Sequence, residues 1–275
     1  MDLEALFRQP QALPTISKVV QELIQSFNDE EVAVGQITRR ISADQVLSAR
    51  LLRLANSAYY HVSRTVATVD DAVVMLGFIN VRTLVIGAGL TGGFKALPGM
   101  DLKQFWRHSL HTAVAAKHLS RGLDLNAELG FTVGLMHAIG QLVMHAGMPQ
   151  DMLKLDKTVN AMDPRRVALE RQSFGYSYVE VGAELSRRWK FPEEFSTAIA
   201  ASAEPLAWQP FTPLGAVVHI AAWRSRAEEN HLNAEEIEVG WPAAVGAQLG
   251  LGANALLQDL PPWAELCAGM EELIS

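Results

Sequence analysis

The sequence predicts an all-α protein, and three observations carry that prediction. Apolar residues recur at intervals of three and four along successive stretches of the chain. Ser, Thr, Asp and Asn stand where those stretches begin, and Gly or Pro where several of them end. No segment shows the apolar–polar alternation of a half-buried strand. At 275 residues, 49% hydrophobic and 19% charged, the chain can bury a substantial core. The pattern suggests two packed helical lobes: an N-terminal helical bundle over 13–95 and a second lobe over 101–225. A lead-in over 1–12 and an acidic helical segment over 226–275 flank them.

Leu13-Pro14-Thr15 opens the first helix, with Ile16, Val19, Val20, Leu23, Ile24 and Phe27 as its stripe. A loop at Asn28-Asp-Glu-Glu31 leads to a second helix carrying Val34, Ile37 and Ile41. Asp44 has the chemistry of an N-cap for a third helix, with Leu47, Leu51, Leu54 and Ala58 inward and Asn56-Ser57 closing it. Two more helices come next over Asp70–Phe78 and Val81–Leu90, with Asn80 as the cap between them. The run Gly87-Ala-Gly-Leu-Thr-Gly92 matches a Gly-x-Gly-x-x-Gly fingerprint. That fingerprint cradles a dinucleotide only between a strand and a helix. Gly93, Pro98 and Gly99 interrupt any helix after the run, so the glycines are expected to form the hinge between the lobes, within Gly87–Met100.

The second lobe begins near Asp101 with a helix over Leu102–Ser120, on which His108, His111 and Thr112 share a face. A helix over Ala127–Ala146 comes after it, with Phe131, Leu135, Ile139, Leu142 and Val143 on its apolar face and His137 among them. Asp163-Pro164 marks another start, with Pro at the first helical position. Ser177-Tyr-Val-Glu180 is a capping box opening a helix through Leu185 and Trp189. Phe191-Pro192 begins the next, which runs to Ala203, and Thr212-Pro213 starts a long helix through His219 and Trp223.

Charge and composition exclude several function classes. The net charge of −7 is concentrated late: after Arg226 stand nine acids (Glu228, Glu229, Glu235, Glu236, Glu238, Asp259, Glu265, Glu271, Glu272) and no Lys or Arg. Such a tail is a solvated face or a docking surface for a basic partner. The first 100 residues hold nine acids and nine bases, so Arg39, Arg40, Arg50, Arg53 and Arg64 create no basic field, and no nucleic-acid partner is expected. The single Cys267 excludes an internal disulfide framework and a cysteine zinc cage. Asp2 and Glu4 precede any apolar run, which disfavours a signal peptide and suggests the cytoplasm. Leu129–Gln150 and Val239–Gln258 carry no full charge, but His, Gln, Pro and Gly residues within them favour buried helices over membrane spans.

From about Leu13 to Trp223 the chain resembles an HDOD domain, the HD-related output domain of bacterial signalling proteins. The resemblance rests on Leu13-Pro14, on Asp44 with Leu47-Ser-Ala-Arg-Leu-Leu-Arg-Leu-Ala-Asn-Ser-Ala58, on Ala72–Gly77, and on Phe105-Trp-Arg-His-Ser-Leu110. It continues through Gly134-Leu-Met-His-Ala-Ile-Gly-Gln-Leu142, Val181-Gly-Ala-Glu-Leu185 and Trp189-Lys-Phe-Pro192. Gln45 stands where the family usually has Pro. In the related HD phosphohydrolases the central frame reads Gly-Leu-Leu-His-Asp-Ile-Gly-Lys-Leu, and its His-Asp pair binds a metal. The resemblance therefore implies an HD-like second lobe with a degenerate metal site. His108 and His137 keep their places, and Ala138 replaces the Asp. Tyr178 stands where HD-GYP enzymes place a His, and Ser202-Ala203 where they place a His pair. A divalent site needs convergent His and carboxylate groups, so no metal and no cofactor is expected. No Gly-Tyr-Pro segment is present, which disfavours hydrolysis of cyclic di-GMP. The resemblance implies a non-catalytic signalling module that binds protein partners, with room for a small ligand in the old pocket. The alternative is a metal-dependent phosphohydrolase with an altered ligand set, in which His111, His145 or His219 rebuild the site.

Overall fold

The computed structural model of the chain describes residues 2–28, 32–94, 96–252 and 260–274, apart from the side chains of Asn28 and Glu272. Every regular element among them is helical, and none is a strand. The loop at Asp29–Glu31, the end of the second uncharged stretch and Asp259 lie outside the described residues.

The N-terminal helices are α1 (Leu3–Phe7), α2 (Lys18–Gln25), α3 (Val34–Ala43), α4 (Gln45–Ala55), α5 (Val69–Leu76) and α6 (Phe78–Thr91). Short side chains start three of them: Ser17, Asp44 and Thr68 accept hydrogen bonds from backbone N–H groups of α2, α4 and α5. Helix α2 starts at Lys18 rather than at Leu13, because Ser17 rather than Thr15 supplies the cap. Helix α1 lies in the expected lead-in; Leu6 and Phe7 are buried, and Leu6 packs on Gly147. Ala55, not Ala58, takes the inward place at the end of α4.

Helix α6 corrects the expected hinge. Gly87, Gly89 and Gly92 lie within it or at its C-cap, so no phosphate-binding loop forms. A side chain at Gly87 would press on Leu135 and Leu273, and one at Gly89 would overlap Val20. The glycines let α6 sit close between neighbours; it touches α2, α4 and α5 on one side and α8 on another. Asn80 lies inside α6 and donates to Leu76 O, so it caps nothing. The chain leaves the helix only after Thr91.

The remaining helices begin with α7 (Leu102–Gly122), α8 (Ala127–Met136), α9 (Ile139–Gly147), α10 (Pro149–Asp156), α11 (Arg166–Phe174) and α12 (Tyr178–Arg188). They continue with α13 (Glu193–Ala201), α14 (Pro213–Glu229), α15 (Ala234–Val239) and α16 (Ala243–Gln248). Asp101, Asn126 and Thr212 cap α7, α8 and α14, and the Ser177–Glu180 capping box opens α12. Helix α11 starts at Arg166, two residues past Pro164, while Asp163 accepts from Arg165 N in the preceding turn. Helices α7, α8 and α14 pack together, and α12 bridges α9 and α13.

The helix expected over Ala127–Ala146 is two, broken at His137–Ala138. Residues 127–147 are long and apolar enough to cross a membrane, but 94% of the relevant window is buried in the protein, as for a core segment. The acidic C-terminal segment is also tied into the core. Thr91 Oγ1 donates to Leu273 O at 2.8 Å, Ala268 O accepts from Tyr59 N at 2.8 Å, and Cys267, Met270 and Leu273 are buried.

Candidate functional site

Two glycines, each three residues from His137, build the site. Gly134 rests on α7, where an added Cβ would lie 2.8 Å from Ala113 Cα. Gly140 rests on α12, where an added Cβ would overlap the Tyr178 carbonyl oxygen. These contacts bring α8 against α7 and α9 against α12 at backbone distance. His137, at the break between α8 and α9, is thereby delivered beside His108 of α7, with ring centroids 5.3 Å apart and nearly edge to face.

Both imidazoles are fixed through Nδ1. His137 Nδ1 donates to Gly134 O at 2.7 Å. Ser225 Oγ gives its proton to His108 O at 3.0 Å, so it accepts from His108 Nδ1 at 2.8 Å. Each ring therefore keeps Nε2 as a bare acceptor, with no protein partner among the described residues. Burial pushes the His137 pKa down to about 4 and that of His108 well below the usual histidine range. The nearby Arg226 charge lowers both further. At neutral pH the two rings are uncharged acceptors.

These rings line a cavity of about 210 Å³ together with Ala138, Gln141, Tyr178 and Arg226. That volume exceeds the roughly 10–15 Å³ one water requires and falls short of the ~300 Å³ lower bound for drug-sized pockets. A charge network forms one wall. Asp156 accepts from Arg166 Nη1 and meets His145 Nε2, each at 2.9 Å, while Arg166 Nε reaches Glu170 at 2.7 Å. Glu170 in turn accepts from Tyr178 N at 2.7 Å, which sets the start of α12 at the cavity. Burial raises the pKa of Glu170 even beside Arg166.

The structure brings His108, His137, Ala138 and Tyr178 together and leaves Ser202 and Ala203 off the cavity wall. Ser202 donates to Ile199 O, and its own carbonyl holds His219 Nδ1 at 2.8 Å. His111 turns away from His108 and stacks on Trp263, with centroids 4.6 Å apart. Of the three histidines that were candidates to rebuild a metal site, only His145 reaches the cavity, and Asp156 already engages it. No group of three His, Cys, Asp or Glu residues able to hold a metal ion occurs among the described residues. The donors do not fit a divalent cation: the two imidazoles converge with Ala138 beside them, Asp156 and Asp163 are paired with Arg166 and Arg165, and Arg226 lines the same space. Arg226 and Gln141 are the residues that sequence reasoning missed. In the chain Arg226 reads only as the last base before the acidic tail.

The sequence profile of the HDOD domain matches residues 13–205. A proposed phosphohydrolase from Shewanella amazonensis is 30% identical, with a TM-score of 0.82 and 98% of each chain covered. An HDOD domain protein of unknown function from Geobacter sulfurreducens is 23% identical, with a TM-score of 0.68 over 99% of this chain and 91% of that one. A proposed signal transduction protein from Marinobacter aquaeolei is 22% identical, with a TM-score of 0.70 over 98% of this chain and 62% of that one. An uncharacterized protein of Treponema pallidum is 24% identical over 183 residues, which are 66% of this chain. The match spans 36% of that relative's length.

Proposed function

We propose a function from the premise that this chain belongs to the HDOD domain family. It is a regulatory module that works by binding other signalling proteins and hydrolyses nothing in its HD-like cavity. One observation carries the second half of that statement: the cavity into which His108 and His137 converge is lined by Ala138 and Arg226, with no carboxylate adjoining His137. A guanidinium is charged at every physiological pH and repels a cation. Two neutral imidazoles alone supply neither the ligand count nor the negative charge of a phosphoryl-transfer centre.

The partner half rests on the family and on the surface. The acidic segment is less free than its composition suggests. Glu229 forms a two-pronged pair with Arg107 at 2.5 and 2.6 Å, and Glu228 reaches Arg224 at 3.3 Å. Glu235 and Glu238 on α15 are exposed and suit a basic partner.

The competing reading is a metal-dependent phosphohydrolase with an altered ligand set. The paired Nε2 atoms of His108 and His137 and the proposed activity of the Shewanella protein favour it. An assay of the full chain against nucleoside phosphates, cyclic dinucleotides and a generic phosphomonoester, with added manganese, separates the two. The expected outcome is no turnover above buffer. Turnover that disappears in His137→Ala would sink the binding-only reading.

A further inference from the structure

We infer that the cavity takes a small monocarboxylate carrying its own N–H or O–H donors, an amino- or hydroxy-carboxylate, with Arg226 holding the carboxylate. This rests on the proposed function, in which the cavity is not a metal centre.

Arg226 comes from α14 and lines both this cavity and an adjoining cleft of about 330 Å³. It makes no direct hydrogen bond or ion pair among the described residues; its enclosure lowers its pKa from the ordinary arginine value, and Tyr178 and Asp163 offset that only in part through charge at longer range. The carboxylates that share the cavity wall are already engaged. Asp156 is taken by Arg166 and His145, Asp163 by Arg165, and one oxygen of the exposed Asp101 by Gln104 N in the first turn of α7. A largely enclosed guanidinium without a directly paired carboxylate is costly, and it regains that cost when an anion docks on its planar fork.

The opposite requirement comes from three acceptors. The Nε2 atoms of His108 and His137 have no donor among the described residues. Gln141 gives its amide N–H to Ala161 O at 2.9 Å, while its Oε1 is buried with no partner. A ligand that only brought negative charge would leave these acceptors unanswered and would face Asp101, Asp156 and Asp163. A carboxylate bearing an ammonium or hydroxyl group meets both needs at once. One guanidinium among three carboxylates also favours a single negative charge over two. The cavity volume admits a molecule of that size.

The test uses the full chain and four probes: serine and lactate, which combine carboxylate and donor; acetate, which lacks the donor; and inorganic phosphate. Thermal shift and titration calorimetry are expected to show stabilisation by serine or lactate, a weaker effect of acetate, and none from phosphate at equal concentration. Arg226→Gln should weaken serine and lactate at least about tenfold, the loss typical of a charge-assisted pair, while keeping the wild-type circular dichroism. If Arg226→Gln fails to fold, Gln141→Leu replaces it; it should weaken serine and lactate several-fold and leave acetate unchanged. No stabilisation by either serine or lactate overturns the inference, as does binding undiminished in the folded variant. Acetate equal to lactate, or phosphate tighter than both, also overturns it. Metal content and hydrolysis measured on the same preparations report separately on the binding-only reading.

Discussion

Two buried imidazoles make the cavity wall sensitive to acid. The folded chain holds His137 at a pKa of about 4, against roughly 6.5 for an exposed histidine. The unfolded chain therefore binds the extra proton. Stability from this residue is complete above about pH 6.5 and is lost as the pH falls toward 4, by about 1.4 kcal/mol per pH unit. His108 adds to the loss in the same direction, because burial lowers its pKa too. Urea melts at pH 7 and pH 5 are expected to show a drop on the order of 3 kcal/mol. His137→Asn, which retains a donor for Gly134 O, should flatten that slope; an unchanged slope would contradict the assignment of neutral rings. At this scale the sequence was partly legible. His108 and His137 stand in local motifs that can be read directly, and Ala138 is visible as a missing carboxylate. Arg226 and Gln141 acquire meaning only from neighbours at 99–101 and 156–164, which no local pattern brings to them.

Helix contacts at the cavity depend on missing side chains. Gly140 packs on the Tyr178 carbonyl and the Gly182 amide, both backbone atoms that cannot rotate aside. Gly140→Ala is expected to destabilise the protein by about 3 kcal/mol, the upper part of the range for overpacking, and to separate α9 from α12. Gly122→Ala is the control. It sits at the end of α7 with nothing near its added methyl, so its thermal midpoint should hold or rise slightly. Equal effects from the two substitutions would remove the packing argument. Elements with a local signature were legible from sequence. Asp44, Asp101, the Ser177–Glu180 box and Thr212-Pro213 mark their helices because the capping chemistry lies within a few residues. Helix α1 was missed because five residues are too few to display a period. The break at His137–Ala138 was missed because no Pro marks it and its flanking glycines sit inside the expected helix. The glycines of α6 misled for the same reason: close helix packing and a flexible hinge share one composition.

Across the whole molecule, the helices around α6 and those around α7 are joined through α6 and α8, and the C-terminal segment closes over the first group. The cavity lies among α7, α9, α12 and α14, held by glycine contacts and a buried charge network. The cavity presents Ala138 beside His137 and an arginine without a directly paired carboxylate. In the proposed function this cavity serves no metal. Metal analysis of the full chain, purified without chelators and again after incubation with iron, manganese or zinc, tests it most directly. Substoichiometric metal in both preparations, unchanged in His137→Ala, is the predicted result. About one ion per chain in the wild type, lost in His137→Ala, would make the cavity a metal centre.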